Sequence, residues 1–115
     1  MTSRPLPNYL RSQRKRLALL QSEVAFLLGA QSDAKVCRDE RFVREPTLET
    51  ALAYEVIFQK PIKELFAGRY REIEQQVAHR AKILGYRTAL RKDGALAARK
   101  RQWLTSLALK ATHES

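Results

Sequence analysis

The chain has 115 residues with 22 Lys and Arg against 12 Asp and Glu, a net charge of +10 and a pI near 10.3. That balance favours a polyanionic partner, nucleic acid or an acidic membrane surface, and the length suits one or two small domains around a modest core. No run of about 18 apolar residues occurs, so no transmembrane helix is expected. The first residues lack the apolar segment of a signal peptide, and the single cysteine, Cys37, leaves no internal disulfide or zinc cluster and fits a reducing cytoplasm.

Pro5 and Pro7 hold the first residues extended, and a first helix is expected from Pro7 or Asn8 to about Ala18, with Tyr9, Leu10 and Leu17 turned inward. Gln21 to Leu28 reads as a second helix: Val24, Leu27 and Leu28 fall three and four apart and share a face. Gly29 can take positive φ and end it abruptly. A third short helix is expected after Ser32, a good N-cap, with Asp33 in its positive first turn, and runs to about Arg41. Pro46 breaks the chain. Thr47 then caps a fourth helix whose expected inward set is Leu48, Ala51, Leu52 and Val56 or Ile57. Pro61 suits the first turn of a fifth, with Ile62, Leu65 and Phe66 apolar and Gly68 ending it. Two short helices across a tight glycine turn are the pattern of a helix-turn-helix, whose second helix commonly enters a DNA major groove; the same residues also suit an ordinary helical corner.

The remainder differs in character. From Arg69 to about Arg91, Tyr70, Ile73, Val77, Ala81, Leu84 and Thr88 recur in threes and fours, which predicts one long amphipathic helix. Asp93-Gly94 marks a turn. A last helix carries Leu96, Trp103, Leu104, Leu107 and Ala111 on one side and Arg99-Lys100-Arg101 mostly on the other. Residues 1–66 hold 11 basic and 8 acidic side chains, whereas residues 67–115 hold 11 and 4, so the tail is the more basic part.

The residues Leu10-Arg11-x-x-Arg14, Gln21-x-Glu23-Val24-Ala25-x-x-Leu28-Gly29, Val36-x-Arg38-x-Glu40-Arg41, Pro46-x-Leu48-Glu49-Thr50-Ala51-Leu52 and Pro61-Ile62-x-Glu64-Leu65-Phe66 stand in a characteristic order and spacing. Over about residues 9–67 the chain resembles the lambda-repressor-like helix-turn-helix proteins of the Xre type. The resemblance implies an all-α, five-helix helix-turn-helix domain over residues 1–68; the two longer C-terminal helices over 69–115, expected from the apolar spacing, lie outside it and complete an all-α fold. It further implies a buried ion pair between Arg14 and Glu40, tying the first helix to the third. The third helix supplies the expected reading surface. Lys35 or Arg38 can donate to guanine, Asp33 can accept from cytosine N4, and Ala34 can meet a thymine methyl. Gln21, Ser32, Arg41 and Arg44 are expected at the DNA backbone. Asp33 also reads as a first-turn acid that helps any helix, and Cys37 as a half-buried small residue.

The chain departs from the family pattern in four places. The turn after Gly29, Ala30-Gln31-Ser32-Asp33, is one residue longer, which blurs the register of the third helix. Asp39 stands where the family has a large apolar residue, Phe42 replaces the glycine that follows Glu-Arg, and Leu20 replaces a Ser or Thr N-cap. Phe42 is expected to refill core volume that Asp39 vacates.

The tail is expected to be a dimerisation element through Tyr70, Ile73, Val77, Leu84, Trp103 and Leu107. It can instead cap the monomer core, or wrap nucleic acid with Arg87, Arg91, Lys92, Arg99, Lys100 and Arg101. Thr2 to Pro7, with Arg4, reads as a frayed terminus or as a minor-groove arm. The function implied is a sequence-specific DNA-binding transcriptional regulator, expected to be a repressor. It would read double-stranded DNA as a homodimer, in the cytoplasm on the nucleoid. The alternative is an antitoxin-like or accessory protein-interaction module for which DNA is secondary. No enzyme, metal, cofactor, membrane or small-molecule ligand is expected: His79 and His113 are isolated, and no nucleophile–base pair or phosphate loop appears.

Overall fold

A computed structural model describes residues 5–90 and 94–113, with side chains through residue 110. The chain is all-helical among the described residues. The helices are α1 (Leu10–Arg16), α2 (Gln21–Leu28), α3 (Ala34–Glu40), α4 (Leu48–Phe58), α5 (Ile62–Leu65), α6 (Ala67–Ala89) and α7 (Gly94–His113). None of them is long and apolar enough to cross a membrane. The chain divides into two compact units, Met1–Tyr70 and Arg71–Ser115. The division lies inside α6 rather than at the expected 68/69 boundary, because α6 begins at Ala67 without a break at Gly68.

The first unit is built around Leu10, Val24, Ala25, Val36, Ala51, Tyr54, Phe58, Leu65 and Phe66. Each fully buried Leu or Val there contributes about 1.5–3 kcal/mol relative to exposure. α3 packs on α1 and α2, and α4 packs on α1, α2 and α5. The rings of Tyr54 and Phe58 stack with centroids 5.9 Å apart. Asn8 ties the start of α1 to the end of α3. Its Oδ1 accepts from the Leu10 N–H at 3.1 Å, and its Nδ2 donates to the Asp39 carbonyl at 3.0 Å. Thr47 caps α4, its Oγ1 accepting from the Thr50 N–H at 3.2 Å. α2 has no cap side chain at Leu20; the Glu23 carboxylate instead accepts from the Leu20 N–H at 2.8 Å.

Four helix ends use the left-handed region, at Ala18 (φ 58°), Gly29 (φ 74°), Phe42 (φ 52°) and Gln59 (φ 54°). The first three close the same way, with the following N–H reaching back five residues: Leu19 to the Arg14 carbonyl, Ala30 to Ala25 and Val43 to Arg38. Only Gly29 adopts this geometry without steric cost. Phe42 holds it at the position where the resembling family has glycine, and its half-buried ring packs on the core.

Several expected inward residues point out. Leu17 is exposed, because α1 ends at Arg16. On α2, Ala25 takes the buried place and Leu27 is exposed. On α4 the buried set is Ala51, Tyr54 and Phe58, with Ile57 half-buried, whereas Leu48 is 71% exposed and Leu52 and Val56 also face out. Those three recur every fourth residue, so they share a face as well as the buried set does. The buried face is the one that carries the Tyr54–Phe58 stack. α3 begins at Ala34, not after Ser32, since Asp33 occupies its N-cap with helical dihedrals and no capping hydrogen bond.

Gly68 does not end α5, which closes at Phe66. It sits in the first turn of α6, where its N–H donates to the Leu6 carbonyl at 2.8 Å. A Cβ there would lie 2.4 Å from that carbonyl oxygen. The glycine thus admits a close backbone approach.

The second unit holds the rest of α6 and α7. Its buried residues are small: Ala78, Ala81, Thr88, Ala97 and Ala108, with Leu104 the one large side chain. A Cβ on Gly85 would stand 3.9 Å from that of Leu104. The Thr88 hydroxyl donates to the Leu84 carbonyl at 2.8 Å. Of the expected stripe, Ile73, Val77 and Leu84 are exposed while Ala81 and Thr88 are buried; Trp103 is exposed and Leu107 half-buried. Asp93, Arg91, Lys92, Thr2 to Arg4 and the Ala111 side chain lie outside the described residues.

These two kinds of glycine-related site predict opposite signs. Ala18→Gly relieves left-handed strain and should raise the stability of the first unit by about 0.5–1 kcal/mol. Gly68→Ala should lower it by about 1–3 kcal/mol, because the clashing atoms are backbone. Urea melts of both variants check this; a stabilising Gly68→Ala would show that the Leu6 contact is not maintained.

Candidate nucleic-acid interface

α3 divides its residues by role. Val36 is buried, and Glu40, one turn on, points the same way. Ala34, Arg38 and Arg41 follow at i, i+4 and i+7 and are all exposed, so they form one outward stripe. Arg44 is exposed beyond the helix end.

Glu40 anchors this geometry. Its Oε2 accepts from Arg14 Nε at 2.5 Å, and its Oε1 accepts from Arg14 Nη2 at 3.2 Å and from Gln21 Nε2 at 3.1 Å. Arg14 Nη1 donates to the Leu19 carbonyl at 3.1 Å. The Arg14 and Glu40 side chains are 12% and 5% exposed. The hydrogen bond to Glu40 raises the Arg14 pKa above its ordinary value. One carboxylate therefore joins the body of α1, the first residue of α2 and the last residue of α3. For Gln21 this changes the expectation: its amide N–H group is turned to Glu40 rather than outward.

Asp39 makes a second tie. Its Oδ2 accepts from the Tyr54 hydroxyl at 2.7 Å and pairs with Lys35 Nζ at 3.3 Å. Tyr54 is fully buried. Burial first, then its hydrogen bond to Asp39, pushes the phenol well above the usual tyrosine range. This pairing explains an acid at a position where the resembling family is apolar. Tyr54, reached across the Pro46 turn, supplies the donor that a nearly buried carboxylate needs. Phe42 does add packing, yet Asp39 has not left its place in the interior.

The expected base contacts thus separate. Ala34 and Arg38 face outward, and Asp33 is exposed at the start of α3. Lys35 is half-buried on Asp39, so it differs from the free donor expected. Ser32 is exposed in the turn, and Arg41 and Arg44 are exposed. Arg38 and Arg44 also line a polar cleft of about 400 Å³ with Val43, Glu45 and Thr47. Arg69 donates to Glu45 beside it.

Sequence reasoning missed three features: the Asp39–Tyr54 tie, the Gln21–Glu40 bond and the exposed apolar face of the first unit. Phe26 is 82% exposed on the outer side of α2, beside Leu27. The first two needed knowledge of which residues meet across the fold. The third was visible as an apolar excess on α2 and α4. The chain matches no protein-family model, no curated protein and no solved structure.

Breaking the central pair strands a charge. Arg14→Ala and Glu40→Ala should each cost about 3–5 kcal/mol, and the double variant less than their sum. Additive losses in thermal or denaturant melts would refute the coupling. Tyr54 yields a pH prediction. A raised folded-state pKa means that the folded chain holds the phenolic proton more tightly than the unfolded chain does. Its contribution is complete below the ordinary value of 10.0 and falls away as pH rises above it. Tyr54→Phe should cost about 1–3 kcal/mol at neutral pH and flatten the alkaline loss of stability that the parent chain shows. An unchanged alkaline slope in Tyr54→Phe would exclude the phenol as its source.

Proposed function

We propose that the chain is a sequence-specific DNA-binding transcriptional regulator of the lambda-repressor-like helix-turn-helix class, with repression as its expected action. On this reading α1 to α5 form the five-helix head, α6 and α7 form the tail, and α3 lies in the major groove. The observation that carries it is the outward stripe Ala34, Arg38 and Arg41 on a helix fixed from behind by Glu40. A cationic, rigidly seated helix face is what base-edge and phosphate contact requires. The net charge of +10 supports the same partner.

Arg38 is assigned to a base edge together with Ala34 and Asp33. Lys35 joins them on release from Asp39. Arg41, Arg44, Ser32 and the backbone at Gln21 are assigned to phosphates. The regulator acts as a homodimer, since a second copy presents a second α3 about one DNA turn away. The apolar side of the tail carrying Tyr70, Ile73, Val77, Leu84, Trp103 and Leu107 is the pairing face. On this reading the protein works in the cytoplasm, on the nucleoid.

Selection of bound duplexes from a random pool should return a palindromic motif. For about six to eight phosphate contacts, log K should fall against log salt with a slope of roughly −5 to −7. Arg38→Ala should cost about 1–3 kcal/mol on the selected site and relax one position per half-site. Replacing Arg99, Lys100 and Arg101 by alanine should weaken selected and scrambled sites equally or leave both unchanged. A tail variant that loses discrimination while Arg38→Ala keeps it would remove α3 as the reader.

A further inference from the structure

Within the second unit, α6 and α7 enclose a groove of about 410 Å³. Its floor is built from Ala81, Gly85 and Ala108, and Tyr86 and Leu109 stand in its walls. The floor residues are small, so a helix laid in the groove can approach the backbone closely. The wall residues are 71% and 53% exposed, leaving apolar surface in water that a partner would cover. Lys82 and Arg101 also line the groove. Between Gln75 and His113 the sequence holds nine Lys and Arg and one acid, Asp93.

These features select the occupant. A phosphate backbone gains nothing from a floor of alanine and glycine. A second copy of the groove would set Lys82 and Arg101 against their own images, and like charges in a shared interface are unfavourable. An amphipathic helix with one apolar face and acidic flanks satisfies both the floor and the rim. We propose that this groove docks an acidic amphipathic helix of a partner protein. At about 3.6 residues per turn, Lys82, Tyr86, Arg101 and Leu109 fall on the opposite side of the Gly85–Leu104 seam from Ile73, Val77, Trp103 and Leu107. Docking therefore leaves the proposed pairing face open, and it does not depend on DNA binding.

The test is display selection of random peptides of about 16 residues, roughly four helical turns, on the full chain. Enriched peptides should carry apolar residues at i, i+3 or i+4, and i+7, with Asp and Glu beside them. The tightest, made synthetically, should lose about tenfold or more in affinity for Tyr86→Ser/Leu109→Ser and for Lys82→Glu/Arg101→Glu. It should bind Arg38→Ala unchanged. The wall residues are exposed, and circular dichroism checks that the variants keep their helix content. Any of four outcomes overturns the proposal: no enrichment, enrichment of neutral or basic peptides, affinity indifferent to the wall variant, or a solution dimer that the wall variant dissociates. The last would make a second copy the occupant. Loss of DNA binding alone would touch only the functional reading above.

Discussion

The Glu40 carboxylate accepts three hydrogen bonds, two from Arg14 and one from Gln21, in a site where it is almost fully covered. A buried carboxylate without such partners would be strongly unfavourable. The arrangement is tolerable only when α1, α2 and α3 stand in one relation, so it specifies geometry more than it adds stability. The orientation of the Ala34–Arg38–Arg41 stripe follows from it. Val36 and Glu40 face the interior together, Asp39 turns toward Tyr54, and Ala34, Arg38 and Arg41 are left on the opposite, exposed side. Asp39 extends the same logic to α4 through Tyr54. Two consecutive acids at the end of one short helix thus bind it to three others.

The ends of the helices show a second constraint. α1, α2 and α3 each close by the same backward-reaching hydrogen bond, but only α2 does so with glycine. A side chain in the left-handed region costs roughly 1–2 kcal/mol, so Ala18 and Phe42 must be held there by what surrounds them. For Phe42 the cause is visible: its ring packs on the core while its backbone turns the chain. For Ala18, which is exposed, the cause is the Arg14–Leu19 contact that the turn creates. The ion pair and the strained turn therefore support one another.

Much of the local structure was legible. The bounds of α2 coincide with the segment read from its apolar spacing and Gly29, and the Thr47 cap stands at the start of α4. These depend on neighbours within a few positions. What was not legible depends on distant ones. Leu48, Leu52 and Val56 are as well spaced as Ala51, Tyr54 and Phe58, and hydrophobicity alone favours the former. The choice is decided by Asp39, which offers Tyr54 a buried acceptor. Gly68 was misread for a similar reason: a glycine that stops a helix and one that admits a passing backbone look alike until Leu6 is placed beside it. At the candidate site, Arg38 is exposed on α3, whereas Lys35 and Gln21 are engaged by acids whose positions only the fold reveals.

The tail has a different physical character from the head. Its seam is mostly alanine, and an alanine buries too little area to contribute much. Meanwhile Ile83, Tyr86, Leu90, Leu96 and Trp103 remain exposed. Small residues let helices approach closely, but they leave most of the apolar surface on the outside. A helical pair built this way is only modestly stabilised by its own interior, and covering that surface would add to its stability by mass action. The same composition that makes the tail a weak core makes it a strong surface. A basic rim further restricts which surfaces can meet it: a helix carrying Asp and Glu is attracted where another cationic face is repelled. The head and tail therefore present two chemically distinct faces. One is the exposed stripe of Ala34, Arg38 and Arg41, which we propose meets DNA, and the other the apolar groove that we propose docks a helix.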